Sequence, residues 1–241
     1  MRCTIGEQIS VISIGILTSH AGTTAQAVID ACRDGRISGR VSVVISNNGS
    51  AEVLKRAAAR GIPFRHLSRK THPDPEELDE TVRATLQQHD TDIVLLAGYL
   101  RKIGPRTLAA FDGRIINVHP ALLPRFGGQG MYGRAVHEAV IEAGVPVSGA
   151  SVHLVTANYD EGPVLARREV PVDPDDDVDS LEAKVRSAER GLLVDLLGAL
   201  SRDELALPGG PAADRSLAAR SPGSRGTGVA QAGGIASGPP A

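Results

Sequence analysis

Tryptophan is absent from this chain, and three Tyr and three Phe are the only large aromatic side chains among its 241 residues. A core must therefore be assembled from Ala, Val, Leu and Ile. An excess of positive charge is missing too. The 26 Lys and Arg stand against 28 Asp and Glu, a formal net charge of −2. General nucleic-acid binders carry a basic surface, so that class is excluded and no nucleic-acid partner is expected. Cysteine is scarce. Cys3 and Cys32 show neither CxxC nor zinc-ligand spacing, which leaves free thiols in a reducing cytosol. No apolar run approaches the roughly 18 residues that cross a bilayer, and the opening MRCTIGEQIS is too polar for a signal peptide. The chain reads as cytoplasmic, with no membrane partner.

What is present is ordinary globular composition, 41% hydrophobic and 22% charged. The length suits one domain of about 200 residues with a tail. Residues 1–9 read as an N-terminal extension, 10–205 as the folded domain and 206–241 as a disordered tail. The tail is rich in Gly, Pro, Ala and Ser and cannot bury enough apolar surface to offset its ordering entropy.

Strand and helix patterns alternate through the domain, the signature of a parallel sheet with crossover helices. Strands are expected at 10–17, 41–46, 63–67, 92–97 and 114–119. Helices are expected at 24–33, 51–60, 74–89 and 104–111, with Thr23 capping the first and Gln26 completing a capping box. Gly61 suits a helix end, and Asp74, Pro75 and Glu77 mark a helix start. A Gly-rich loop over 121–133 leads to a helix at 134–143. Strands at 148–155 and 164–170 pair antiparallel at one side of the sheet. A long helix over 179–200 closes the domain, with Asp179 and Glu182 at capping-box spacing. The fold class is α/β: a Rossmann-like, mostly parallel sheet flanked by helices, with an antiparallel C-terminal portion.

The run Ile116-Asn117-Val118-His119-Pro120-Ala121-Leu122-Leu123-Pro124 carries the chemistry. Residues i and i+2 of a strand point to the same side, so Asn117 and His119 face one small volume. An amide can donate to a developing oxyanion, and an imidazole can move a proton near neutral pH. Pro120 and Pro124 stiffen the exit, because proline fixes φ and cannot extend a ladder. This is equipment for acyl chemistry without a Ser or Cys nucleophile.

Two further loops bear on function. The first strand runs into Thr18-Ser19-His20-Ala21-Gly22-Thr23-Thr24. Free N–H groups and a positive dipole end there suit a phosphate, and an ordinary helix cap by Thr23 is the plain alternative. Asp160 lies in the turn Asn158-Tyr159-Asp160-Glu161-Gly162-Pro163. A carboxylate near His119 would orient the ring and stabilise its charged form; alone in a turn, it would serve local hydrogen bonding. His66, His72, His89, His137 and His153 read as structural, since none has metal-ligand spacing, and His20 is divided between anion contact and loop filler. The Asp175-Asp176-Asp177 run reads as a solvated helix lead-in.

Asn117-Val118-His119-Pro120, the following Ala121-Leu122-Leu123-Pro124 and Asp160 in a D-x-G-P turn together resemble the folate-dependent formyltransferases. The likeness runs over residues 11–200 in the same order of elements, and makes the folded domain a catalytic one. It implies formyl transfer from 10-formyltetrahydrofolate, as co-substrate, to a primary amine. Among the family's acceptors the match points to glycinamide ribonucleotide, in purine biosynthesis. By resemblance, Asn117 stabilises the oxyanion, His119 assists as a charged or proton-moving partner, and Asp160 orients His119 and relays a proton. No metal is implied. Substrate contacts carry over to Gly22, Thr23 and Thr24 for the phosphate, to Gly98, Leu100 and Pro120, and to Glu189 for the ribose hydroxyls. The folate pocket carries over to Tyr99, Arg101, Lys102 and Ile103 and to Val155, Thr156 and Asn158. Core packing is the parallel reading for Leu100 and Ile103. The chain is expected to be a monomer or homodimer.

The chain departs from the commonest pattern at His20, Ala21 and Thr24 and in a longer loop over 126–133. These positions flank the acceptor site, so a sugar-nucleotide formyltransferase stays in view; a 10-formyltetrahydrofolate hydrolase, which normally carries an N-terminal regulatory domain, and a methionyl-tRNA formyltransferase, which would need a C-terminal RNA-binding domain, fit this chain less well. A non-catalytic phosphate-binding module is the reading that Asn117, His119 and Asp160 together oppose.

Overall fold

The computed structural model describes residues 11–19 and 22–209. Cys3, His20, Ala21, the 1–9 extension and the tail from 210 onward lie outside the described residues. Five parallel strands form most of one sheet: β1 (Ile12–Thr18), β2 (Gly39–Ser46), β3 (Phe64–His66), β4 (Ile93–Leu96) and β5 (Ile115–His119). Two antiparallel strands, β6 (Val147–Leu154) and β7 (Val164–Pro171), extend it beyond β5. The order is β3-β2-β1-β4-β5-β6-β7. The chain steps outward from β1 to β3, then restarts at β4 on the other side of β1. Such a reversal opens a crevice at the carboxyl ends of the two central strands, where ligands of this architecture bind.

The helices are α1 (Thr23–Arg33), α2 (Glu52–Ala59), α3 (Pro75–Gln88), α4 (Pro105–Ala110), α5 (Arg134–Glu142) and α6 (Val178–Ser201). Alternating strand residues feed two apolar layers. Ile14, Ile16, Ile116, Val118 and Val152 face α1, α2 and α6. Leu17, Val94, Leu96 and Ile115 face α3 and α4, with Phe111 as the one large ring fully buried there. Aliphatic side chains fill almost everything else, as the missing aromatics require. β4 is buried along its whole length, the mark of a strand covered on both faces. Leu207 also enters the first layer, so the packed body runs past residue 205. Among the described residues no helix is long and apolar enough to cross a membrane.

Two helix starts differ from expectation. α1 begins at Thr23, so Gly22 takes the cap position in a left-handed conformation (φ 68°), and no side chain caps it. The expected capping box of Thr23 and Gln26 is absent for that reason. A Cβ on Gly22 would lie 2.5 Å from Val53, so glycine is required there by space as well as by φ. α6 begins before Asp179. Its cap is Asp177, whose side chain accepts from Ser180 N–H at 2.8 Å, while the Ser180 hydroxyl accepts from Asp177 N–H at 3.0 Å. Ser180, not Glu182, completes this box.

Candidate active site

β5 delivers Asn117 and His119 to the face that also carries Ile115, as the strand period demands. Across the antiparallel pair, Asn117 lies opposite His153 and His119 opposite Ser151. All four side chains therefore meet on one side of the sheet. The Asn117 amide donates from Nδ2 to His153 Nε2 at 3.0 Å. That direction follows because an amide nitrogen only donates, and His153 Nδ1–H is already directed at the Leu154 carbonyl at 2.8 Å. Among the described residues nothing accepts the second Asn117 amide hydrogen, which leaves it for a ligand.

Asp160 reaches this cluster from the β6–β7 turn, where its own backbone is left-handed (φ 55°), a conformation Asp tolerates. One carboxylate oxygen lies 3.6 Å from His119 Nδ1, and the other 3.4 Å from His153 Nε2. Gly128 N–H donates to it at 3.0 Å. Burial alone would raise the Asp160 pKa. The two histidine rings beside it and the Gly128 N–H outweigh burial and hold the carboxyl below its ordinary value. Burial pushes His119 the other way, below the usual imidazole value, opposed in part by Asp160 and by its bond to Phe126. At neutral pH the pair is thus an ionised carboxylate beside a neutral imidazole. His119 is 3% exposed, so water cannot easily screen that pair.

His153, expected from the sequence to be structural, stands within this cluster. Its place on a strand was legible. Its distance from Asn117 depends on the antiparallel register, which no local pattern encodes. A cavity of about 440 Å³ opens beside Asp160, lined by Leu123, Gly127, Gly128, Tyr159 and Arg167 among others.

The crevice between β1 and β4 is bridged by two hydrogen bonds. Ser19 N–H donates to Gly98 O at 3.1 Å, and Leu100 N–H donates to Ser19 Oγ at 2.9 Å. This joins the loop before α1, with Gly22, Thr23 and Thr24, to the loop carrying Gly98 and Leu100. Leu100 is 42% exposed, so core packing does not account for it. Ile103 is buried in the α3–α4 layer, with Tyr99 and Val155 packed against it. Arg101 and Lys102 are exposed. Lys102 Nζ lies 5.8 Å from the Tyr159 ring centroid, linking the two loops that carry the expected folate contacts. Thr156 and Asn158 close their own turn, the Thr156 hydroxyl donating to Asn158 O at 3.3 Å. Pro120 is half-buried directly after His119.

Glu189 is half-buried on α6. Burial pushes its carboxyl up to about 7, against the opposing charges of Arg186 and Arg190. Val185, one helical turn earlier, joins an apolar cluster against which Phe126 packs. The structure therefore sets Asn117, His119, Asp160 and His153 in one cluster. Glu189 stands apart on the neighbouring helix.

Comparison with known proteins points the same way. Residues 12–197 match the formyl transferase family model. A phosphoribosylglycinamide formyltransferase of Haemophilus influenzae is 37% identical over 176 residues, covering 73% of this chain and 81% of that one. A chloroplastic phosphoribosylglycinamide formyltransferase of Vigna unguiculata is 36% identical over 193 residues; the match covers 80% of this chain and spans 62% of the longer plant protein. The crystal structure of glycinamide ribonucleotide transformylase 1 from Symbiobacterium toebii superposes with a TM-score of 0.77 at 36% identity, covering 85% of this chain and 96% of that one. With the Asn, His and Asp of its D-x-G-P turn clustered at the end of β5, this chain belongs to the formyl transferase family.

Proposed function

We propose that this protein transfers the formyl group of 10-formyltetrahydrofolate to the amine of glycinamide ribonucleotide, a step of purine biosynthesis, and that it does so in the cytoplasm as a monomer or homodimer. The observation that carries this reading is the convergence of Asn117, His119 and Asp160 at the end of β5, beside the β1–β4 crevice. The relatives' names support the choice of amine.

Each group has one task in the reaction. The free Asn117 amide hydrogen meets the formyl oxygen as negative charge builds there; one such donor is typically worth about a hundredfold or more in rate. As the amine nitrogen bonds to the formyl carbon it loses a proton to His119, neutral before attack; when the tetrahedral adduct collapses, the bond from that carbon to the folate nitrogen breaks and the leaving nitrogen takes up a proton in exchange. Asp160 faces the charge on His119 and stabilises it. Holding both substrates in one crevice supplies much of the remaining acceleration. The N-terminus of α1 suits the substrate phosphate, and Glu189 suits the ribose hydroxyls. The folate ring would lie against Tyr99, Ile103 and Val155, with main-chain groups of Arg101 and Ile103 along its edge. An apolar wall beside exposed backbone fits such a heterocycle.

The experiment is absorbance-monitored loss of a 10-formyl folate with and without glycinamide ribonucleotide. Turnover that requires the amine is expected. Turnover without it would assign a hydrolase, and none in either case would reject this acceptor.

A further inference from the structure

We infer that Phe126 is a positioning residue: its ring is anchored in the apolar seam between α5 and α6, and its main-chain carbonyl keeps the His119 proton on Nε2 so that Nδ1 is presented to Asp160. The inference rests on the reading of His119 and Asp160 as the working pair.

The geometry starts at the carbonyl. His119 Nε2 lies 2.7 Å from Phe126 O. A carbonyl oxygen only accepts, so the facing nitrogen must carry the hydrogen. A neutral imidazole has one N–H, and Nδ1 is therefore the lone-pair nitrogen. It points at Asp160 Oδ2 across 3.6 Å. The reversed tautomer would set a lone pair against the Phe126 carbonyl at 2.7 Å, whereas this one turns the Nδ1 lone pair toward the carboxylate only at 3.6 Å, beyond hydrogen-bond distance. On this ring the nitrogen left able to accept a proton is Nδ1, where the carboxylate stabilises the resulting cation. Phe126 makes no contact with a reacting atom in this scheme; it acts through His119.

The same short turn also holds the other partner. Gly128 N–H donates to Asp160 Oδ2, and the ideal Cβ position of Gly127 is 3.3 Å from Asp160 Cβ and 2.5 Å from Leu123. Residues 126–128 therefore bracket His119 from one side and Asp160 from the other. Phe126 is left-handed (φ 55°), a conformation that a bulky residue adopts only when its surroundings impose it. The surroundings are visible. It packs against the buried cluster of Val140 of α5, Val170 of β7 and Leu181, Val185 and Ala188 of α6, and the Arg125 guanidinium lies 5.2 Å from the ring centroid. Upstream, the Ser151 hydroxyl and Arg167 fix the main chain of Leu123. The side chain is thus the pin, and the carbonyl is the tool.

The test compares the wild-type chain with Phe126→Ala and Phe126→Leu. Long-range proton–nitrogen NMR of the imidazole rings reads the tautomer, with His119→Gln assigning the signal. The wild type is expected to show the Nε2–H form at pH 8. Phe126→Ala is expected to mix in the Nδ1–H form, to move the acid limb of the kcat profile, and to lower kcat about a hundredfold, the loss that a misplacement near 1 Å produces. The folate KM should stay within about threefold, and Phe126→Leu, which refills the seam, should recover most of the rate. An Nδ1–H ring in the wild type overturns the proposal whether or not the variants fold. So does Phe126→Ala with an unchanged tautomer and pH profile, even at reduced kcat. Absent turnover in the wild type, with the tautomer as stated, would instead count against the catalytic reading of the pair.

Discussion

Asn117 and His153 stand directly opposite each other across the β5–β6 pair, with the amide Nδ2 3.0 Å from the ring Nε2. One amide hydrogen is spent on the histidine, and the direction of the other is thereby fixed. An oxyanion donor works by being oriented before charge develops. A free amide could rotate, and part of the reaction's free energy would go into turning it.

His153→Ala should therefore lower kcat by about tenfold, through a looser Asn117 donor. The folate KM should hardly move, because His153 lies behind the donor and not in the folate wall. Steady-state kinetics separate the two parameters. A rise in KM with kcat unchanged would place His153 in substrate binding instead.

Asp160→Asn keeps the shape of the side chain and removes its charge. Turnover should fall by about a hundredfold to ten-thousandfold, the range for losing a proton-transfer partner. Calorimetry with a folate analogue should give nearly unchanged affinity. The sign of the accompanying pH effect is fixed. Asp160 raises the His119 pKa against the burial that lowers it, so removing the carboxylate lets His119 fall further. The ring of the variant should become protonated at a lower pH than in the wild type, which NMR titration measures. An upward move would mean that the carboxylate does not face the ring in solution.

Much of this site was legible because its signals are local. Asn117 and His119 share a face by strand period alone, and the structure keeps them together. The left-handed Gly22 and Gly61 sit at punctuation that the chain displays openly. The helix caps were less legible. Asp177 and Asp179 are both good caps, and the choice fell to Ser180, whose hydroxyl answers the Asp177 N–H and also donates to Asp176 at 2.8 Å. The role of His153 was not legible at all, because it rests on which residue of β6 faces Asn117. The hold of Phe126 on His119 was hidden for a related reason: it runs through a main-chain carbonyl, and a carbonyl leaves no residue type to read.

Glu189 gives a prediction about pH. Its carboxyl is pushed up to about 7 by burial, so it ionises only as the pH rises through neutrality. In the proposed role, the ionised form binds the ribose hydroxyls, since a carboxylate can accept from both. The KM for the ribonucleotide should fall as pH rises through about 7 and level off above it. Glu189→Gln should raise that KM and remove this pH dependence. The stability sign is the reverse. A carboxyl whose folded pKa is raised above its ordinary 4.5 penalises the folded state once the unfolded chain begins to ionise. The Gln variant should therefore gain melting temperature relative to the wild type as pH rises from about 4.5 to 7, and match it below. Parallel melting curves at pH 4 and pH 8 decide this.

Ser151 holds the loop on which the His119 clamp depends. Fully buried, its hydroxyl donates to Ala121 O at 2.7 Å and accepts from Leu123 N–H at 3.0 Å. Ser151→Ala leaves two buried main-chain groups without these partners. Each such group costs about 1–3 kcal/mol, so a loss of at least about 2 kcal/mol is expected in urea unfolding. The rate should fall as well, because the freed Leu123 segment leads directly to the Phe126 carbonyl. Ser151→Thr retains the hydroxyl and should restore both measurements if the added methyl fits. Ser151→Ala with full turnover and lower stability would show that the clamp on His119 stands without this support.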